Sequence, residues 1–192
     1  MRHSINGLFT AAAFGAALCG AGQARAEGPV DEVRFAVLDH DTGLVGNSKE
    51  GGFDIGVEVL SHPLSGLDIV RNPRLAIGGV FNSEHYTNQL YVGLVQQWDF
   101  APRVFNDHDA FFLEGAVGVA YHDGKRDVRG TPEENNWKSH GSAWAFRTGW
   151  GVGYRFDERW SLQFSFHHMS NADLAPPNEG TNDVGLRLGV RL

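Results

Sequence analysis

His168, Ser170 and Asn182 are the residues of this chain whose types and spacing invite chemistry. Trp160, Leu162, Phe164, Phe166, His168 and Ser170 share one parity in an alternating run, and a strand turns residues of one parity to one face. Asn182 opens the next alternating run, with the parity of Val184 and Leu186. An imidazole, a hydroxyl and an amide therefore stand at the top of two adjacent antiparallel strands, on their apolar face, close enough across the hairpin to hydrogen-bond. On a lipid-facing wall such groups are costly and mark function by default. In the headgroup layer just above the hydrocarbon they cost little, and parity alone leaves both readings open.

The elements that must position them read as eight strands, at about 31–40, 53–61, 74–82, 89–100, 109–122, 142–156, 160–170 and 182–192, with turn-rich segments between. In the fifth, Phe111, Leu113, Val117, Val119 and Tyr121 oppose Glu114, Gly118, Ala120 and His122. In the sixth, Trp144, Phe146, Trp150, Val152 and Tyr154 oppose Arg147, Gly149, Gly151, Gly153 and Arg155. A soluble barrel or sandwich would bury the apolar face; a membrane barrel turns it to lipid and packs glycines and charges inside. Glycines on the polar face suit a narrow eight-stranded lumen, where Glu58 and Glu114 are expected to pair with Arg147, Arg155 or Arg187. Trp98, Phe100, Trp144, Tyr154 and Trp160 recur near strand ends, as an interfacial girdle requires. The expected fold is all-β, an eight-stranded antiparallel transmembrane β-barrel. An even strand count puts both termini in the periplasm and the connections 41–52, 123–141 and 171–181 outside. The segment 61–73 is long for a periplasmic turn, and the sequence offers no account of it.

The N-terminus agrees. Arg2 and His3 precede an apolar run from Leu8 to Gly20, and Ala24-Arg25-Ala26 offers a cleavage site before Glu27. The run is shorter than the ~20 residues of a spanning helix. Residues 1–26 are thus expected to be a cleaved signal peptide and 27–192 the barrel. The single cysteine, Cys19, leaves with the signal, so the mature chain has no disulfide and no thiol nucleophile. The formal net charge of −7 becomes more negative without Arg2 and Arg25. That argues against a nucleic-acid partner, and any lipid contact must come from local pattern.

The segment His168-Met169-Ser170-Asn171-Ala172, followed by Pro177-Asn178-Glu179-Gly180, resembles the H-x-S-N-A…N-x-G signature of the PagL-type lipid A 3-O-deacylases. The His40-Asp41 pair, Phe81-Asn82, the Leu-Tyr-Val-Gly-Leu run at 90–94 and Tyr-His-Asp-Gly at 121–124 are also similar to this family. The resemblance implies an eight-stranded outer-membrane barrel that releases the 3-position acyl chain of lipid A. It implies Ser170 as nucleophile and His168 as general base. Asn171 and Asn178 would support the site, and backbone N–H groups near Ala172 and Asp173 would form an oxyanion hole. One position departs from the pattern: Asn182 stands where the family's third triad member is a Glu. An amide can orient a neutral imidazole but cannot stabilise the imidazolium by charge. Glu179 and Asp173, in the loop, are the alternatives for the third role, while Asp183 has lumen parity.

Elsewhere, His167 has lumen parity, and His85, His108, His122 and His140 are scattered without metal-ligand spacing. Glu133-Glu134-Asn135-Asn136 is an ordinary solvated run. The expected function is a lipid A acyl-ester hydrolase of the outer membrane, with lipopolysaccharide as partner, no cofactor and no metal, and homodimerisation left open. The rivals are a non-catalytic structural or lipopolysaccharide-binding barrel, and a hydrolase of other lipids.

Overall fold

The computed structural model describes residues 28–192; the expected signal segment, with Cys19, lies outside the described residues. Eight antiparallel strands close into a barrel in simple sequence order. They are β1 (Glu32–Asp39), β2 (Phe53–Pro63), β3 (Arg74–Asn82), β4 (Gln89–Pro102), β5 (Ala110–His122), β6 (Trp144–Arg155), β7 (Trp160–Ser170) and β8 (Thr181–Arg191). β8 pairs back on β1, Val37 against Leu186, so no strand edge is left unpaired, the condition for β-structure in lipid. Connections 40–52, 83–88, 123–143 and 171–180 lie at one end, the loop end, and 64–73, 103–109 and 156–159 at the other, the turn end. A short 3₁₀ helix, Asp68–Val70, accounts for the length of the first turn: Asn72 accepts from Leu67 N–H and donates to Asp68.

Alternation decides which way the wall faces. Val37, Ile55, Val117, Trp150, Phe164 and Leu186 are exposed, while Arg34, Glu58, Glu114 and Arg187 are buried. A barrel with its charges inside and its hydrocarbon outside is the membrane arrangement, which rules out the soluble reading. The lumen is narrow enough that β6 must carry glycine there. A side chain at Gly149 would meet the ring of His167, and one at Gly153 the ring of Phe112. Two aromatic belts border the exterior. Phe100, Phe111, Tyr154 and Phe156 cluster at the turn end. Tyr121 stacks edge-on to Trp144 at the loop end, 5.3 Å between centroids.

The interior ion pairs differ in part from expectation. Glu58 and Glu114 do pair with Arg187, at 3.3 and 3.0 Å, but their second partner is Arg34 on β1, at 3.1 and 2.9 Å. Arg147 instead lies over the Tyr91 ring, 3.9 Å from its centroid. Arg155 pairs with Asp99 at the turn end, 3.0 Å. The reason is height along the barrel: Arg155 sits opposite Ala110 in register, well below Glu114. Two guanidiniums each bridging two carboxylates leave Arg34, Arg187, Glu58 and Glu114 paired, the form in which buried charge is tolerated, while the buried Arg147 has the Tyr91 ring in place of a carboxylate.

Candidate active site

His168 on β7 and Asn182 on β8 face each other directly across the ladder. His168 Nδ1 lies 2.9 Å from Asn182 Oδ1, and Asn182 Nδ2 donates to the carbonyl of Val45 at 2.6 Å. The second contact fixes the first. A carbonyl can only accept, so the amide must turn its N–H₂ to Val45 and its oxygen to the imidazole. The imidazole therefore carries a proton on Nδ1, and in its neutral tautomer Nε2 is the acceptor, the form a general base needs.

Ser170 lies two residues beyond His168 on the same face, opposite Phe146 of β6. Gly180 packs between the two side chains. A methyl group there would stand 2.8 Å from Cε1 of His168 and 3.2 Å from Cβ of Ser170. Serine and imidazole thus share one small space, while no hydrogen bond joins Ser170 Oγ to His168 Nε2. Both residues are half-buried.

The loop after Ser170 is a tight turn closed by Leu174 N–H on the Asn171 carbonyl, 3.2 Å. Its central residues, Ala172 and Asp173, have φ of 54° and 61°. Their N–H groups have no protein acceptor among the described residues, which leaves two adjacent donors free beside the serine. Asn171 holds the turn in place. Its buried amide donates to the carbonyls of His140 and Ala175 at 2.6 and 2.7 Å, and its N–H is taken by Asn178 Oδ1 at 2.9 Å. Gly141, at φ 70°, lets the loop approach: any side chain there would collide with the carbonyls of Ala175 and Pro177.

Two sequence expectations are refined. Asn182 has the outward parity foreseen, yet it is fully buried. The loop after β1 folds over it, with Thr42 N–H on the Asn182 carbonyl at 2.8 Å. The alternatives for the third role do not touch His168. Glu179 accepts from Ser139 N–H at 2.8 Å and pairs with Lys49 at 2.6 Å. Burial opposes its charge, but the Lys49 ammonium outweighs that and holds its carboxyl below the usual range. Asp173 is exposed. Asp183 and His167 face the lumen, as parity required. Residues that the sequence did not single out, Val45, Thr42 and Gly141, act through backbone groups or absent side chains, for which residue type gives little signal. His40 and Asn82 belong to a separate buried network at the loop end of the lumen.

A small apolar hollow on the outer wall adjoins the site, about 320 Å³, lined by Val119, Trp144, Phe146, Leu174 and Ala175 with Asn171 at its rim. It runs along β6 on the side that Ser170 pairs with.

A search of curated proteins gives no match. The crystal structure of the outer membrane enzyme PagL is similar to the chain at 19% identity and a TM-score of 0.60, covering 84% of this chain and 99% of that one. The N-terminal β-barrel domain of Pseudomonas aeruginosa OprF gives 9% identity, a TM-score of 0.47, and coverage of 85% and 98%. The Yersinia pestis outer membrane protein Ail gives 10% identity, a TM-score of 0.41, and coverage of 84% and 99%. The family model described as PagL, lipid A 3-O-deacylase, matches residues 73–191, which span β3 to β8 and with them the whole His168–Asn182 hairpin; the chain belongs to the PagL lipid A 3-O-deacylase family.

Proposed function

We propose that this chain is a serine esterase of the bacterial outer membrane that hydrolyses the 3-position acyl ester of lipid A, its site facing the outer leaflet. The observation that carries the reading is the Val45–Asn182–His168 relay, which turns Nδ1 of the imidazole to the amide and leaves Nε2 as the acceptor of the neutral ring. In the first step Ser170 Oγ attacks the ester carbonyl while Nε2 takes its proton. The oxyanion is received by the N–H groups of Ala172 and Asp173. Collapse expels the 3-oxygen of lipid A, which takes the proton back from Nε2 and leaves an acyl-serine. Water, deprotonated by the same nitrogen, then releases the fatty acid and restores Ser170. Hydrogen bonds of this kind are often long before substrate arrives, and the two side chains share the space beside Gly180. Asn182 orients the imidazole without adding negative charge, so turnover should be slower than with a carboxylate there. The apolar hollow along β6 is where the departing acyl chain would lie, with the sugar above it among the loops. With the loop end outward, both termini of the barrel face the periplasm.

The test is mass spectrometry of lipid A from cells that carry the native protein or its Ser170→Ala variant, with both barrels verified as folded by heat-modifiable gel mobility. Loss of one 3-hydroxyacyl chain with the native protein alone supports the proposal. Unchanged lipid A with both would sink it in favour of a non-catalytic barrel, and release of fatty acid from phospholipid instead would point to a different lipid substrate.

A further inference from the structure

Inside the barrel, at the loop end and on the opposite face of β8 from Asn182, three ligand-type side chains converge. His40 follows β1, Asp54 is on β2 and Asp183 on β8. One ligand atom from each lies within 4.8 Å of the other two. His40 Nδ1 is 2.9 Å from Asp54 Oδ2 and 3.5 Å from Asp183 Oδ1. Ligands bound at the ~2.0–2.1 Å typical of zinc nitrogen and oxygen donors, with angles between octahedral and tetrahedral, stand roughly 3.0–3.4 Å apart. The spacing is therefore that of a coordination edge.

The surroundings have the order that metal sites show in their outer contacts, where each ligand's remaining polar atom is held. His40 Nε2 is 3.0 Å from Glu50 Oε2, which leaves Nδ1 as the inward atom once it is deprotonated. Asn82 Nδ2 donates to the other oxygen of Asp54 at 2.9 Å. Gln89 Nε2 donates to the other oxygen of Asp183 at 3.0 Å. Gln89 also supplies an independent sign of a missing partner. It is 1% exposed, and its Oε1 meets no hydrogen-bond donor. Gln96 and Asn171 carry amide oxygens in the same condition among the described residues; what sets the one on Gln89 apart is that its amide is already in contact with the cluster.

Charge points the same way. Asp41, Glu50, Asp54 and Asp183 are all buried within this end of the lumen. Lys138 answers Asp41 at 3.3 Å, His40, if protonated, answers one more, and the buried Arg147 acts on Asp183 from beyond salt-bridge distance, which still leaves the carboxylates in excess. Buried carboxylates are otherwise paired or metal-bound.

We propose that His40, Asp54 and Asp183 form a binding site for a divalent first-row cation of the size of zinc, with Gln89 Oε1 as a fourth donor. The bound ion displaces the proton of His40 Nδ1 and joins β8, β1 and β2 at the rim from which the loop 40–52 springs. It takes no part in the ester chemistry; it ties the base of the loop whose Val45 carbonyl orients Asn182.

The experiment is calorimetric titration of the full barrel, free of any histidine tag and stripped by chelator, with Zn²⁺ and with Mn²⁺ in zwitterionic micelles, alongside thermal unfolding. One saturable site per barrel and a higher Tm with metal are expected. Asp183→Asn and His40→Gln should each weaken binding at least ten-fold while the barrel keeps its folded gel mobility. Absence of saturable binding for both ions would overturn the proposal and leave a protonated His40 bridging the carboxylates. Binding unchanged by both substitutions would also overturn it, by placing the metal on exposed histidines such as His62 or His108.

Discussion

Replacing Asn182 with leucine removes the oxygen that His168 Nδ1–H meets at 2.9 Å and keeps the side chain's bulk beneath the loop 40–52. In the transition state of the proposed mechanism the imidazole is charged, and a hydrogen bond to a charged group contributes about 1.5–3 kcal/mol. Its loss converts to roughly 10- to 150-fold in kcat. The strand ladder still holds His168 opposite position 182, so substrate binding should change little and the effect should fall on kcat rather than KM. A second consequence is separate: the Val45 carbonyl loses its donor at 2.6 Å, and because this contact is only partly buried and Val45 is exposed, the stability cost is that of an ordinary hydrogen bond, about 0.5–1.5 kcal/mol. The assay is fatty-acid release from lipid A in mixed micelles, run as a cycle with His168→Ala. Without the imidazole, Asn182 has nothing to orient. Asn182→Leu should then cost less than about three-fold in the His168→Ala background. Additive losses across the cycle, or a single variant within three-fold of native, would refute the pairing as part of the catalytic apparatus.

Two further outcomes follow from the loops. Gly141→Val drives a side chain into the carbonyls of Ala175 and Pro177 and should displace the turn that carries Ala172 and Asp173. Overpacking of this kind costs about 1–3 kcal/mol; deacylation should fall at least ten-fold while gel mobility still reports a closed barrel, and full activity would show that the turn supplies no oxyanion donors. His140 should make the loop 123–143 acid-sensitive. Burial, and then the adjacent His122, hold its pKa down to about 4, against about 6.5 in an unfolded chain. The folded value is the lower one, so the stabilisation is complete above pH ~6.5 and is lost as the pH falls towards 4. Limited proteolysis of the loop should quicken over that window and flatten in His140→Gln; equal cleavage at pH 8 and pH 5 in the native protein would contradict it.

The barrel was legible because alternation carries its own sign. Val117, Trp150 and Leu186 on one parity and Glu114, Arg147 and Arg187 on the other place the wall without any long-range information, and strand limits agree to within about two residues. The His168–Asn182 contact was legible for the same reason, since one hairpin and a period of two bring them together. What the sequence hid is whatever crosses the lumen or comes from a distant loop. Arg34 bridges Glu58 and Glu114 because of the barrel's closure and stagger, which no local pattern states. Val45 reaches Asn182 from a loop far away in sequence, and it uses a carbonyl that every residue possesses. The His40, Asp54 and Asp183 cluster has no motif spacing, because its members come from three strand ends.

The paired guanidiniums and carboxylates in the middle of the barrel have a consequence for the membrane itself. Arg34 and Arg187 stand on the adjacent strands β1 and β8, and both reach Glu58 on β2 and Glu114 on β5, across the lumen, so a charged plug fills the middle of the barrel. Reconstituted in a planar bilayer, the protein should be electrically silent. An organism could then raise its copy number without opening its envelope to small solutes, so abundance would be limited by lipid remodelling rather than by leakage.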